Sequence, residues 1–376
     1  MALKTSRNIL VFLPNWVGDV VMATPALGSL RRYFAKARIT FVGKPTALET
    51  LDGLGLCDAT IPDGMGRRQR LMRMLHLAVR LRHEDFDLAV LLPNSFRSAL
   101  TAKFAGIRRI AGYARDCRGW MLQHKLTPPR DKNRRIKPYP TIDYYNDLVA
   151  MMGARDVNRR MKLVLTPQQE EQAQALLQQA GVDASRPIVM INPGGSFGPS
   201  KLWPAEKYAA VADALADRWG AQIIINVAPN EWPIGEMVRS NMRSRPLIDF
   251  TGQPNSLAML KALVKRCNLL ITNDTGARHF AAAMGVDVVT IFGSTNPVWA
   301  QIDYPRERIV RAKLSCSPCQ KKICPQPAGP KYQQCMAAIS VDMVLAAAGE
   351  LLGPATGASR LPSAPEVQAP AAPEVR

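Results

Sequence analysis

The chain has 376 residues, 47% hydrophobic and 21% charged, which is enough apolar material for two or three cored domains and excludes a mainly disordered, collagen-like or disulfide-scaffold protein. With 49 Lys and Arg against 30 Asp and Glu the formal charge is +19, favouring anionic partners such as a nucleotide, a nucleic acid or a phosphorylated surface. Aromatic residues at 6% argue against a base-stacking single-strand binder, and no apolar run reaches the roughly 18 residues of a membrane span. The apolar run after the basic start breaks at Pro14, Asn15 and Asp19, too early for a signal peptide, and seven cysteines are an odd number for a disulfide framework. The cytoplasm is the expected compartment.

In chain order, Asn8–Pro14, Ile39–Gly43, Ala59–Pro62 and Asp87–Pro93 read as strands, with helices at about 19–34, 66–82 and 96–105 between them. The scheme repeats with strands Ile188–Asn192, Gln222–Val227, Leu269–Thr272 and Val286–Gly293 and helices near 204–219, 230–242, 256–267 and 276–284. Continuous apolar strands separated by helices indicate parallel sheets covered on both faces. The expected class is therefore α/β, with two doubly wound parallel-sheet domains. Thr166-Pro167-Gln168-Gln169 supplies a capping hydroxyl, a first-turn proline and a glutamine three residues after the cap, and Gly181 stops the helix that follows. The expected division is an N-terminal domain at 1–165, a linker helix and junction at 166–186, a C-terminal domain at 187–352, and a disordered Pro/Ala-rich tail at 353–376.

In open parallel sheets ligands bind beyond the carboxyl ends of the strands, so the loops after strands are where chemistry is sought. After the first strand come Asn15, Trp16, Gly18 and Asp19. Gly18 admits a close backbone approach, and Asp19 either caps the helix or, aimed into a cleft, takes a proton from an attacking hydroxyl. After the first strand of the second half, Asn192–Pro204 offers Gly194 and Gly195, the hydroxyls of Ser196 and Ser200, and the cation of Lys201. That set suits a phosphate or diphosphate but departs from the P-loop pattern, and an ordinary flexible loop is the alternative. Between the strand LLIT and its helix lie Asp274, Thr275 and Gly276, with His279 one turn on: an anion site at a helix start, or a plain Asp/Thr cap with a packed histidine.

Gly18-Asp19 with Thr24-Pro25 and Leu27, the stretch Asn192–Pro204, and Asn273-Asp274-Thr275-Gly276 with His279 together resemble glycosyltransferase family 9, the ADP-heptose:lipopolysaccharide heptosyltransferases, over roughly residues 8–350. The resemblance implies a glycosyltransferase-B fold of two facing Rossmann-like domains, the first taking the acceptor and the second the nucleotide sugar. It implies an inverting transfer of heptose from ADP-heptose to the inner core of an anionic lipid A-core acceptor in lipopolysaccharide and cell-envelope biosynthesis, with no cofactor required for catalysis. By position, Asp19 becomes the general base, and Lys201 with the Thr275 and Gly276 amides steadies the departing diphosphate. Asp274 holds the donor sugar, Glu231 takes the ribose hydroxyls, and Gly194, Gly195, Ser196, Ser200 and His279 complete the donor side. Asn15, Trp16 and Gly18 lie on the acceptor side.

From Arg67 to Lys137, 18 Lys and Arg face five Asp and Glu, a net +13. The helix GRRQRLMRMLHLAVRLR interleaves Arg with apolar residues, which suits peripheral contact with an anionic membrane surface, such as the cytoplasmic face of the inner membrane, or else a solvated basic surface over a packed stripe. KLTPPRDKNRRIKP is expected to be a mobile basic loop. Cys316, Cys319, Cys324 and Cys335, spaced C-x2-C-x4-C-x10-C, are candidates for a structural zinc, against two disulfides, an iron–sulfur cluster or a loop with no metal; Cys57, Cys117 and Cys267 read as inert core residues. Three other functions compete: a family 9-like transferase using another nucleotide sugar or surface-glycan acceptor, a catalytically dead sugar-nucleotide binder, and a non-enzymatic basic nucleic-acid-binding protein. The last lacks any recognised nucleic-acid motif and leaves Asp19 and Asn273–Gly276 unexplained.

Overall fold

A computed structural model describes residues 3–64 and 70–355. Strands β1 (Asn8–Phe12), β2 (Arg38–Gly43), β3 (Ala59–Pro62), β4 (Leu88–Leu91), β5 (Arg109–Tyr113) and β6 (His124–Leu126) pair in parallel in the order β3-β2-β1-β4-β5-β6. Helices α1 (Val17–Tyr33), α2 (Pro45–Thr50), α3 (Arg70–Arg82), α4 (Phe96–Phe104) and α5 (Thr141–Met151) cover this sheet. After α6 (Pro167–Gln179), strands β7 (Ile188–Asn192), β8 (Gln222–Ile225), β9 (Ile248–Asp249), β10 (Leu269–Asn273), β11 (Asp287–Phe292) and β12 (Glu307–Arg311) form a second parallel sheet, β12-β11-β10-β7-β8-β9. Its helices are α7 (Ala205–Trp219), α8 (Trp232–Asn241), α9 (Leu257–Arg266), α10 (Gly276–Met284), α11 (Gln334–Ala337) and α12 (Val341–Leu352). Counted from its own first strand, each sheet runs 3-2-1-4-5-6, so strand order reverses at β1/β4 and at β7/β10.

Two parallel-sheet α/β domains are therefore present, as the alternation of apolar strands and helices predicts. The predicted capping box at Thr166 forms: its hydroxyl accepts from Gln169 N at 3.3 Å, and the Gln169 side chain accepts from Thr166 N at 3.2 Å. α1 runs unbroken through Pro25, which has no N–H to give the Val21 carbonyl; the Thr24 hydroxyl donates to that carbonyl at 2.7 Å instead. The basic segment after β6 is not a free loop. Arg130 bridges Ile136 antiparallel, and Asp131 Oδ1 accepts from Asn133 N and Arg135 N. β5, β6, β9 and β12 escape the sequence pattern because they lie toward the sheet edges and are short or carry charge at their ends. Residues 65–69, within the predicted 66–82 helix, and the tail from 356 lie outside the described residues.

The domains meet through apolar side chains. Val21, Met22, Ile142, Met161 and Leu163 from the first half join Ala277, Phe280 and Ala281 of α10 in one buried cluster. Across the same interface Glu49 accepts from Ala258 N at 3.0 Å and Thr141 donates to the Trp299 carbonyl at 2.8 Å. An apolar contact of this kind holds the two switch points facing each other. Among the described residues no helix is long and apolar enough to cross a membrane.

Candidate active site

Asp19 is in the first turn of α1, just beyond the carboxyl end of β1. The preceding Trp16 is the cap residue but contributes no side-chain cap; with Asn15 it is exposed on the rim, and Lys44 Nζ sits 5.9 Å above its ring. Gly18 is pressed onto α10: a Cβ built there would stand 2.9 Å from Cδ2 of His279. The amino ends of α1 and α10 therefore abut, which only glycine allows. Burial, and next the negative charge of Asp274, push the Asp19 carboxyl from 3.8 up to about 6, with Lys201 holding it down.

Opposite it stands a cation–carboxylate cluster. Lys201 Nζ, following β7, donates to Asp274 Oδ2 at 2.7 Å and to the Asp274 carbonyl at 2.8 Å. Both side chains are only 12% exposed. Thr295 donates to the same carboxylate oxygen at 2.9 Å, and Arg278 lies 4.0 Å from the other. Burial pushes Asp274 up, but Lys201 and Arg278 more than offset it, so this carboxyl is held below the usual range. Arg278 is itself buried and fixed by a fork onto Glu307, whose Oε2 accepts at 2.8 Å, and by the Ala300 carbonyl at 2.6 Å. His279 is driven down to about 3, chiefly by burial and then by Arg278, so it is neutral near pH 7. Its Nδ1 has no hydrogen-bond partner among the described residues.

The strand ends supply a polar floor whose members the sequence motifs only partly identify. Asn226 Nδ2 donates to Asn192 Oδ1 at 2.7 Å, Asn255 Nδ2 to Asn226 Oδ1 at 2.6 Å, and Tyr208 OH to Asn273 Oδ1 at 2.9 Å. Asn273 Nδ2 in turn donates to the carbonyls of Pro193 and Gly194 at 2.8 and 3.1 Å. A buried network of this kind fixes loop geometry, although Asn255 Oδ1 at its end finds no partner among the described residues. Glu231 accepts from Gly195 N at 2.8 Å and from Ala228 N at 3.2 Å. Its carboxylate lies where a Cβ on Gly194 would be, 2.0 Å from Oε2, so Gly194 is required for that approach. Thr275 caps α10 without a side-chain bond to the helix; its hydroxyl pairs with Thr272 at 3.0 Å, leaving the first-turn amides uncapped by a side chain.

Two predicted residues sit apart from this face. Ser196 is exposed, while Ser200 is buried and points into the cysteine-bearing segment, bonded to the Ser294 hydroxyl at 3.0 Å and to the Lys321 carbonyl. That segment also accepts from Ser200 N through the Lys322 carbonyl at 3.1 Å and donates Gln320 N to the Ser294 carbonyl at 2.8 Å. It braces the Lys201 loop on one side and the Thr295 loop on the other. Its cysteines are all free: Cys316 is exposed, Cys319 and Cys324 are half-buried, and Cys335 is buried; elsewhere Cys267 is a core residue and Cys57 half-buried, but Cys117 is exposed and not in the core. Among the described residues no three His, Cys, Asp or Glu side chains are placed to hold a metal ion, although Cys319, Cys316 and Cys324 lie near enough to Cys335 to help burial push its thiol up. Cys324 Sγ instead accepts from Gln333 N at 3.3 Å.

The first domain contributes a residue that sequence reasoning leaves within a general basic stretch. Arg118 is fully buried and donates to the carbonyls of Pro93, Ser95 and Tyr113, holding the loop after β4 in place. Its signal is an arginine beside Gly119 between two strands, with the left-handed Asp116 and Cys117 before it.

Two facing domains with strand reversals apposed, a desolvated carboxylate on one and a cation with helix-start amides on the other, define a glycosyltransferase-B fold. The profile of glycosyltransferase family 9 (heptosyltransferase) matches residues 74–328, and the chain belongs to that family. It is 26% identical over 314 residues to lipooligosaccharide heptosyltransferase 2 of Haemophilus influenzae, covering 81% of this chain and 88% of that protein. Lipopolysaccharide heptosyltransferase 2 of Escherichia coli K12 is 26% identical over 313 residues with the same coverage, in keeping with a resemblance of Phe197–Pro204 to heptosyltransferase II. The structure of E. coli ADP-heptose lipopolysaccharide heptosyltransferase II superposes with a TM-score of 0.73 at 25% identity, covering 92% of this chain and 98% of that one. These matches favour an enzyme over a nucleic-acid-binding protein.

Proposed function

We propose that the protein transfers heptose from ADP-heptose to the inner core of a lipopolysaccharide precursor, with inversion and with Asp19 as the base. The acceptor hydroxyl oxygen bonds to the anomeric carbon while its proton passes to the Asp19 carboxylate. The bond from that carbon to the β-phosphate oxygen breaks, and ADP leaves with the electron pair. The observation that carries this reading is Asp19 itself: a carboxyl raised to about 6 is mostly ionised near pH 7 yet more basic than an exposed aspartate.

Lys201 uses two of its N–H donors on Asp274, so the third is free to meet the diphosphate. With the Thr275 and Gly276 amides it supplies the counter-charge at the leaving group, so the step requires no cofactor. Asp274 is assigned to the donor sugar and Glu231 to the ribose. Gly194 and Gly195 shape the donor loop and Ser196 lies at its edge, with Ser200 positioning the loop and His279 the helix contact. Asn15, Trp16 and Gly18 are assigned to the acceptor side, and the acceptor is an anionic lipid-linked glycan met at the cytoplasmic face of a membrane. The test incubates wild type and Asp19→Ala with ADP-heptose and a Kdo-heptose lipid A acceptor and follows acceptor mass. A gain of one heptose with wild type alone is expected; a wild type that binds ADP but transfers nothing would overturn both sugar assignments.

A further inference from the structure

Among the described residues no element covers the outer face of α3. Its inner face is buried, with Leu77 and Leu81 packed into the apolar cluster on the first sheet and Met74 and Ala78 buried beside them. The other side exposes Leu71, Met72, Leu75 and Val79, with Leu71 65% and Val79 57% exposed. A helix that packs one apolar face and shows a second to water is not stabilised by the fold alone. Cations lie among these side chains: Arg80 and Arg82 are exposed and Arg73 half-exposed, and α3 contains no acidic residue. Other arginines of this domain are neutralised, Arg97 by Asp63, Arg38 by Glu84 and Arg109 by Asp87. Among the described residues Arg73, Arg80 and Arg82 have no such ion pair.

We infer that this face of α3 docks the enzyme on an anionic lipid bilayer, the exposed apolar side chains entering the interface and the unpaired arginines meeting phosphate headgroups. Apolar side chains flanked by uncompensated cations match that chemistry better than a nucleic acid, which offers charge but little apolar surface. The topology supports the orientation. α1, α3 and α4 each follow a strand of one parallel sheet, so their amino ends share an edge. Leu71 and Met72 in the first turn of α3 therefore lie toward the edge that carries Asp19, and a bilayer under α3 brings a lipid-linked acceptor to the base. The inference rests on reading the acceptor as lipid-linked.

The test sediments full-length protein with vesicles of phosphatidylcholine alone or mixed with phosphatidylglycerol, at low and high salt. Binding to the mixed vesicles only, weakened by salt, is expected. Val79→Glu should abolish it, while Arg73→Gln with Arg80→Gln should weaken it roughly fivefold per arginine. Both substitutions fall on the outer face, and unchanged circular dichroism and unchanged transfer to a detergent-dispersed acceptor would show the fold and site intact. Vesicle binding unaffected by these variants, no binding at all, or a wild-type dimer that Val79→Glu dissociates would overturn the inference, the last assigning the face to a second copy. Wild type that transfers heptose but binds no vesicles sinks only the surface; wild type that binds vesicles but transfers nothing sinks only the proposed reaction.

Discussion

Replacing Asp19 by asparagine should stabilise the protein while destroying transfer. The Asp19 carboxyl is raised from 3.8 to about 6 by burial and by Asp274, so the folded protein favours its protonated form by about 3 kcal/mol. Because the folded value lies above the unfolded one, the folded state binds the extra proton between those limits. Wild-type stability from this group is therefore fully present below about pH 4 and is lost as pH rises through about 6. The amide side chain of the variant carries no charge to desolvate and keeps what the ionised aspartate loses. Urea denaturation of both proteins should show Asp19→Asn more stable by up to about 3 kcal/mol at about pH 8, the gap closing at about pH 4. A gap of the same size at both pH values would refute the electrostatic origin, and a variant less stable than wild type at high pH would refute the burial. The same carboxyl should give the acid limb of kcat/KM near pH 6. His279, held near 3, cannot produce that limb, so His279→Phe should leave it in place.

Lys201→Met removes one member of a pair in which both side chains are 12% exposed, and should cost about 3–5 kcal/mol and raise the KM for ADP-heptose; unchanged stability would show the pair to be solvated. Gly18→Ala places a Cβ 2.9 Å from His279 and should cost about 1–3 kcal/mol and lower kcat more than donor affinity, because the base moves off its partner domain; equal kcat would discount the contact. Ser200→Ala leaves the Lys321 carbonyl and the Ser294 hydroxyl without that partner, with a loss of about 1–3 kcal/mol in denaturation and a raised donor KM expected, and wild-type values speaking against a brace. Glu231→Gln should weaken ADP binding measured calorimetrically, while retained affinity would remove Glu231 from the ribose.

The strand and helix alternation was legible because both sheets are parallel and buried on both faces, so β1, β7, β10 and β11 read as continuous apolar runs. The candidate site was legible where a loop leaves a strand at the switch point, which is where Asp19, Lys201 and Asp274 all fall. What escaped is set by pairs distant in sequence. Ser200 offers a hydroxyl beside Lys201 in the sequence, yet a segment about 120 residues later takes it for a brace. The asparagines at 192, 226 and 273 do carry a visible signal, a polar residue terminating an otherwise apolar strand, but their roles emerge only when the strands are neighbours.

That distinction bears on how the site works. Asp19 and Asp274 repel each other across the domain contact, and Lys201 moderates both carboxyls. In the proposed reaction, a diphosphate arriving at Lys201 would add negative charge beside Asp19 and engage the cation that holds its carboxyl down. Both effects would raise the basicity of Asp19, so the proposed donor would strengthen the proposed base as it fills the site. No single motif contains this coupling, because Asp19 comes from the first domain and both residues that tune it come from the second. The apolar contact of Val21 and Met22 with Phe280 keeps the three close enough for their charges to act on one another.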